Sequence, residues 1–253
     1  MLTVLLGRSL VAFLATSQIG IEGGDLNEFV QGFVKAFQLI ITLDPQVVDI
    51  TWRTLAIALS SCIISTVLCL PLGSLIHFRR FPGKRILINI VQTFYSIPTV
   101  VVGLLVFILF SRIGPFGVFN LMFTPTIMVI GQVILVSPIV LGLVISALSG
   151  VDKGLFETAS SLGASRVQAV FQVIREARYA ILSAVTMGFG RAISEVGLAL
   201  MVGGNIRGFT RVITTAISLE TSKGDVELSI ALGAILIFMA LLVNIVLNRL
   251  QQK

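Results

Sequence analysis

Residues 151–178 read VDKGLFETASSLGASRVQAVFQVIREAR and lie between two long apolar runs, concentrating charge that the rest of the chain largely lacks. The pattern is that of two short helices meeting at a bend. Leu155, Ala159 and Leu162 recur at helical spacing and give the first helix one apolar stripe, and Asp152 is placed to cap its start. Gly163 suits the stop, because glycine enters the left-handed region without a Cβ clash. Ser165 followed three positions later by Gln168 matches a capping box and opens a second helix, with apolar positions at Val167, Val170, Phe171 and Ile174. Together they form an amphipathic helical elbow between membrane spans.

Outward from the elbow the chain is apolar. Hydrophobic residues make up 56% of its 253 residues, charged residues only 12%, and the mean hydropathy is +1.03, so the class is an integral membrane protein. The net charge of +6 does not point to nucleic acid, since the basic residues cluster in short loops between apolar runs instead of striping one face. Cys62 and Cys69 sit inside an apolar run without a neighbouring His or acid and read as small apolar fillers. His77 is the only histidine, and a lone imidazole cannot make a metal site.

The expected fold is an all-α integral membrane protein with five core transmembrane helices, over residues 54–76, 86–110, 121–148, 180–202 and 228–247. Pro98 and Pro138 each remove a backbone donor inside a span and are candidate hinges. Residues 28–45 form an amphipathic helix, with Phe29, Val30, Phe33, Val34, Phe37, Ile40 and Ile41 on one face and Gln31, Lys35 and Gln38 on the other; an interfacial position is expected. Residues 1–27 form an N-terminal extension open to three readings: a sixth span, a signal-like segment or a non-native start. The transmembrane domain proper is 46–253 and contains the elbow 151–178, which the resemblance given below makes its coupling loop.

Charge orients the spans. Arg79, Arg80, Lys84 and Arg85 follow the first span; Lys153, Arg166, Arg175 and Arg178 lie in the elbow; Arg249 and Lys253 end the chain. Alternating spans put all three groups on one side, which the positive-inside rule makes cytoplasmic. Arg207, Arg211 and Lys223 in the polar connection 203–225 then lie outside, unless that connection is a re-entrant or short-helical segment facing an aqueous cavity.

No hydrolase, redox or metal constellation is present, so the chain does not read as an enzyme. The segment from Gly203 to Gly208 has the glycine spacing of a P-loop, but Phe209 and Thr210 stand where Lys and Ser/Thr are required. A chain driven by ATP would therefore need a separate motor. Arg191 and Glu195 are the charged pair within a span, spaced to meet on one helix face with Ser194 adjacent. Two readings stay open: an internal ion pair that fixes packing, or a pore-lining pair that touches a passing anion.

Glu157, Thr158 and Ala159, then three residues and Gly163, resemble the "EAA" cytoplasmic loop of ABC-importer permeases. The family pattern often continues to Leu-Pro, where this chain has Arg175, Glu176, Ala177 and Arg178. From Gly190 to Gly197, Met201 to Gly208 and Thr214 to Gly224 it is similar to the tungstate-uptake permeases, relatives of the molybdate and sulfate permeases. The resemblance covers about residues 44–250. It implies a type I ABC-importer permease in a prokaryotic cytoplasmic membrane, with Glu157, Thr158, Ala159 and Gly163 docking the ATPase. It also implies a second permease copy, two ATP-binding subunits that use ATP-Mg, and an extracytoplasmic oxyanion-binding protein; the permease itself binds no cofactor. Candidate path residues are Arg191, Ser194, Glu195 and Asn205. The alternative is a secondary transporter driven by an ion gradient, against which stand a single intramembrane acid and no evident internal repeat.

The orientation is testable on the first basic loop. A Gly83→Cys variant in intact membranes should react with impermeant maleimide only from the cytoplasmic face; reaction from outside would invert every assignment above.

Overall fold

The structure, a computed structural model, describes residues 23–42 and 44–251, and among these the regular secondary structure is entirely helical. The elements are α1 (Gly23–Ile41), α2 (Pro45–Phe78), α3 (Lys84–Thr93), α4 (Thr99–Phe110), α5 (Pro125–Ser149), α6 (Lys153–Ser161), α7 (Arg166–Glu176), α8 (Arg178–Ile193), α9 (Gly197–Gly203), α10 (Ile213–Lys223) and α11 (Val226–Gln251). Residues 1–22 of the extension lie outside the described residues; the helix α1 begins within the remainder of it.

The long α2 starts earlier than the apolar run alone predicts, because Asp44 and Pro45 make a helix start. The Asp44 carboxylate accepts from the N–H groups of Gln46 and Val47 at 3.0 Å each, and proline at the first helical position lacks only a donor with no partner there. At 34 residues α2 is about 51 Å long, more than a hydrocarbon core needs. Ser61, Ser65, Cys69 and Gly73 recur every four residues and face α5, all of them buried. Small side chains let two membrane helices approach closely, which replaces the hydrophobic drive that lipid cannot supply. Ser61 Oγ lies 3.0 Å from Gln132 Oε1, and the Cys69 thiol lies 3.3 Å from the Ser137 carbonyl. Gln132 Nε2 in turn donates to the Ala192 carbonyl of α8 at 3.2 Å, so one buried amide links α2, α5 and α8.

Two of the expected spans are broken. Residues 86–110 form α3 and α4, bent by 98° across the 3-10 turn Phe94–Ser96 and Pro98. Pro98 is thus the N-cap of α4 rather than a kink inside one helix, since proline disfavours helical backbone at Ile97 before it. Residues 180–202 likewise form α8 and α9, bent by 59° at Ser194–Val196. By contrast α5 runs unbroken through Pro138. It starts at Pro125, after a turn in which Phe123 takes a φ of +61°. Three helices are long and apolar enough to cross a membrane, or five if each bent pair is one span, among the described residues.

The remaining elements close around this core. Gly32 faces Ile230 and Lys35 Nζ lies 3.6 Å from Glu227 Oε2, so α1 runs antiparallel to the start of α11 while Phe33, Val34 and Phe37 stay exposed. The connection 203–225 contains the helix α10 rather than a free loop. The start of α2 and the 206–212 segment share one end, through Arg53 donors to the carbonyls of Gly208 (3.0 Å) and Arg211 (3.1 Å). The basic loop and the elbow share the other, where the Phe78 and Phe156 rings stack at 5.4 Å.

The α2–α5 contact should be intolerant of bulk. Ser61→Leu is expected to cost about 1–3 kcal/mol through overpacking, seen as a lowered melting temperature of the detergent-solubilised chain, whereas Ser60→Leu on the exposed face should change little. Equal melting of the two variants would contradict the close approach.

Candidate functional site

The elbow is built by its own caps. Asp152 Oδ1 accepts from the Gly154 N–H at 2.8 Å and starts α6. At its end the Gly163 N–H donates to the Ser160 carbonyl and the Ala164 N–H to the Ala159 carbonyl, both at 3.1 Å, with Gly163 at a φ of +91°. That pair of bonds is a Schellman stop, and the positive φ favours glycine there. Ser165 then opens α7 with both capping-box bonds, Ser165 N to Gln168 Oε1 at 2.8 Å and Gln168 N to Ser165 Oγ at 3.4 Å.

Two faces of the elbow differ. The inner one is fixed to the bundle by Phe156 on Phe78 and by buried Ala169 and Val173. Outward stand Leu162 at 82% exposure, Val167 at 78% and Phe171 at 66%. Along α7 the residues divide, with Val167 and Phe171 lying away from the core and Ala169 and Val173 forming its buried face. Thr158 and Ala159 line the cleft between α6 and α7 together with Leu162, Val167 and Phe171, Glu157 is exposed beside it, and Gly163 sits at the open corner. The four docking candidates therefore share one end of the molecule.

The second constellation is the break between α8 and α9. Arg191 NH1 lies 3.0 Å from Glu195 Oε2, with the Arg side chain 29% exposed and the Glu side chain 1%. The other carboxylate oxygen, Oε1, accepts from the Leu198 N–H at 2.9 Å, a donor that the restarted helix leaves free. Thr214 Oγ1 donates to the Glu195 carbonyl at 2.7 Å and Ser194 Oγ to the Arg191 carbonyl at 3.2 Å, so both sides of the break are satisfied. A Cβ on Gly197 would lie 3.0 Å from Thr99 Oγ1, which places this break directly against the start of α4 after Pro98. The two interrupted spans thus meet at their interruptions. Pro138 is not part of this meeting point.

Asn205 stands nearer the opposite end. It adopts a φ of +50°, donates to the Thr215 carbonyl at 3.3 Å and accepts from Arg211 Nε at 3.1 Å. It connects to Glu195 only through the first turn of α10, where Thr214 holds one and Thr215 the other. Sequence reading gave no such holding role to Gln132, Thr214, Thr99 or Arg53, which keep these segments in place. A glutamine inside an otherwise apolar run was the available signal for Gln132.

Residues 69–253 match the family described as binding-protein-dependent transport system inner membrane component. The chain is 38% identical to the tungstate uptake system permease protein TupB of Peptoclostridium acidaminophilum, covering 88% of this chain and 98% of that one. It is also 38% identical to the protein of that name from Campylobacter jejuni, covering 90% and 95%. Among solved structures, a bacterial ABC transporter involved in the import of the acidic polysaccharide alginate superposes with a TM-score of 0.70 at 19% identity, over 98% of this chain and 95% of that chain. This likeness shows the fold of type I ABC-importer permeases.

The role of Glu195 in closing the break can be measured. Arg191→Met should cost on the order of 2 kcal/mol, below the ~3–5 of a fully buried pair because the guanidinium keeps contact with water. Glu195→Gln, which keeps an acceptor for Leu198, should cost about 1 kcal/mol. The double variant should lose less than the sum in thermal unfolding; strict additivity would remove the coupling.

Proposed function

The chain belongs to the binding-protein-dependent transport system inner membrane component family, and from that premise we propose that it carries tungstate inward as the membrane gate of an ATP-driven importer. It is an ABC-importer permease subunit. The observation that supports tungstate is the alignment with tungstate uptake permeases along 95% and 98% of their lengths. In this reading two permease copies enclose one path, two ATP-binding subunits hold the elbows on the cytoplasmic side, and an extracytoplasmic protein delivers the oxyanion. ATP-Mg acts in the partner subunits.

What supports the docking role of the elbow is its exposed apolar edge at the end that carries the basic loop. Leu162, Val167 and Phe171 project from short, strongly capped helices that are too polar to enter lipid, so a protein groove is the environment that would cover them. Glu157, Thr158 and Ala159 supply polar contacts and close approach along that edge, and Gly163 sets its angle.

For the path, the partly exposed Arg191 is the candidate contact with the anion. Both Glu195 oxygens are already engaged, one by Arg191 and one by Leu198, so Glu195 acts as the support that presents the guanidinium. One guanidinium from each copy, each already paired with its own Glu195, gives weak binding, as a transported ion requires. Selectivity among oxyanions then rests mainly with the binding protein.

The test is uptake by proteoliposomes holding the permease, its ATPase and its binding protein. Tungstate should accumulate only with ATP, and at equal concentration it should exclude molybdate and sulfate. Gly163→Val should lower uptake about tenfold or more with loss of ATPase pull-down and unchanged membrane insertion, since a β-branched residue at positive φ disrupts the stop. Uptake by the permease alone without ATP would overturn the proposal.

A further inference from the structure

On α7, beyond Phe171, a groove of 590 Å3 runs between that helix, the start of α8 and the elbow half of α2. Its walls are apolar, with Leu70, Ile174, Leu182 and Val185, and its rim carries Arg175, Arg178 and Tyr179. The Arg178 guanidinium lies over the Tyr179 ring at 4.6 Å from the centroid and donates to Tyr179 Oη at 2.8 Å, so the side chain is held in place at the rim. Neither arginine has a carboxylate within ion-pair distance among the described residues. Glu176, between them in sequence, lines a different cleft with Ala180 and Ser183.

Depth along the bundle identifies the level of this rim. The Cys62 thiol lies 3.4 Å from the Val185 carbonyl, which sets α8 beside α2. Arg178 is seven residues from Val185 toward the elbow, about 10 Å, and Arg53 is nine residues from Cys62 toward the other end, about 14 Å. The two arginines are thus separated by about 24 Å along the bundle, a little short of the ~30 Å hydrocarbon thickness, so the rim lies toward the elbow side within reach of the head groups for side chains as long as arginine. The groove below it opens onto the apolar flank of α2, where Ile63 and Val67 are 60% and 65% exposed.

We propose that this groove is a binding site for an anionic phospholipid, with the phosphate between Arg175 and Arg178 and an acyl chain along Leu70, Leu182 and Val185. Two unpaired cations above an apolar trough match a charged head group joined to hydrocarbon. A free oxyanion would find donors on the rim alone and an apolar floor beneath. A zwitterionic lipid would bring a cation to a rim that holds no carboxylate. The site is independent of which ion is transported.

The full-length chain in detergent can be titrated with phosphatidylglycerol, phosphatidylcholine and inorganic phosphate, with native mass spectrometry counting retained molecules. Phosphatidylglycerol should be retained at about tenfold lower concentration than phosphatidylcholine. Arg175→Gln with Arg178→Gln should erase that preference, while Arg112→Gln at the opposite end leaves it. Leu182→Trp, which fills the groove and keeps both arginines, should weaken phosphatidylglycerol retention as well, and decides the matter if the double variant does not fold. Equal retention of the two lipids, a preference that survives the double variant, or displacement of phosphatidylglycerol by equimolar phosphate would overturn the site.

Discussion

A break in a membrane helix exposes backbone donors and acceptors where no water can meet them, and each one left unpaired costs several kcal/mol. Everything distinctive in this bundle follows from satisfying that demand twice. At Ser194–Val196 the solution is Glu195, which lends one carboxylate oxygen to the Leu198 N–H and takes a hydroxyl from Thr214 on its own carbonyl. Gln132 reaches the Ala192 carbonyl from α5. A carboxylate at such depth needs a cation, and Arg191 one turn earlier supplies it. The charges that look anomalous in an apolar sequence are therefore part of the cost of interrupting the helix.

Placing the two breaks against each other limits that cost. Gly197 leaves room for Thr99, so α9 and α4 begin side by side, and the polar atoms of both interruptions are confined to one small region. The rest of the core can then be small and apolar, as the Ser61, Ser65, Cys69 and Gly73 stripe against α5 requires. Rigid segments joined at one shared set of breaks suit a protein that must change which side it opens to, because the spans can re-angle there without unpacking α2 from α5.

Much of this was legible in the chain itself. The elbow's caps could be read residue by residue because Asp152, Gly163, Ser165 and Gln168 act on neighbours within a turn, and local hydrogen bonding depends little on the rest of the fold. The spans were legible because hydrocarbon demands long apolar runs. What was hidden depends on contacts distant in sequence. The α8–α9 break carries no proline, and nothing local distinguishes Ser194–Val196 from continuous helix; it exists because Glu195, Thr214 and Gln132 converge from three elements. At Pro98 the proline was visible, yet the difference between a kink and a 98° bend lies in the turn Phe94–Ser96 packing Tyr95 against Gly142. Periodicity along α7 also left open which side chains are covered: Ala169 and Val173 are buried, Val167 and Phe171 exposed. An exposed apolar edge of this kind marks an interaction surface, and its occupant is not written in the local pattern.

The connection between elbow and break is short. Ala177 is the C-cap of α7 and the N-cap of α8, so no loose linker intervenes, and α8 runs 16 residues, about 24 Å, from the elbow to the residue before Ser194. Val140 and Val136 pack against Gly188 midway, and the Cys62 thiol meets the Val185 carbonyl, so α8 can shift against α5 and α2 only as a unit. A displacement applied to α7 is then carried by a stiff helix to its far end, where the break can accommodate it. Because α4 starts against α9 at that point, movement of one interrupted span bears on the other. A capped and anchored elbow, a continuous α8 and paired interruptions make a lever whose two ends are different in kind: one carries exposed apolar side chains, the other a guanidinium held by a buried carboxylate.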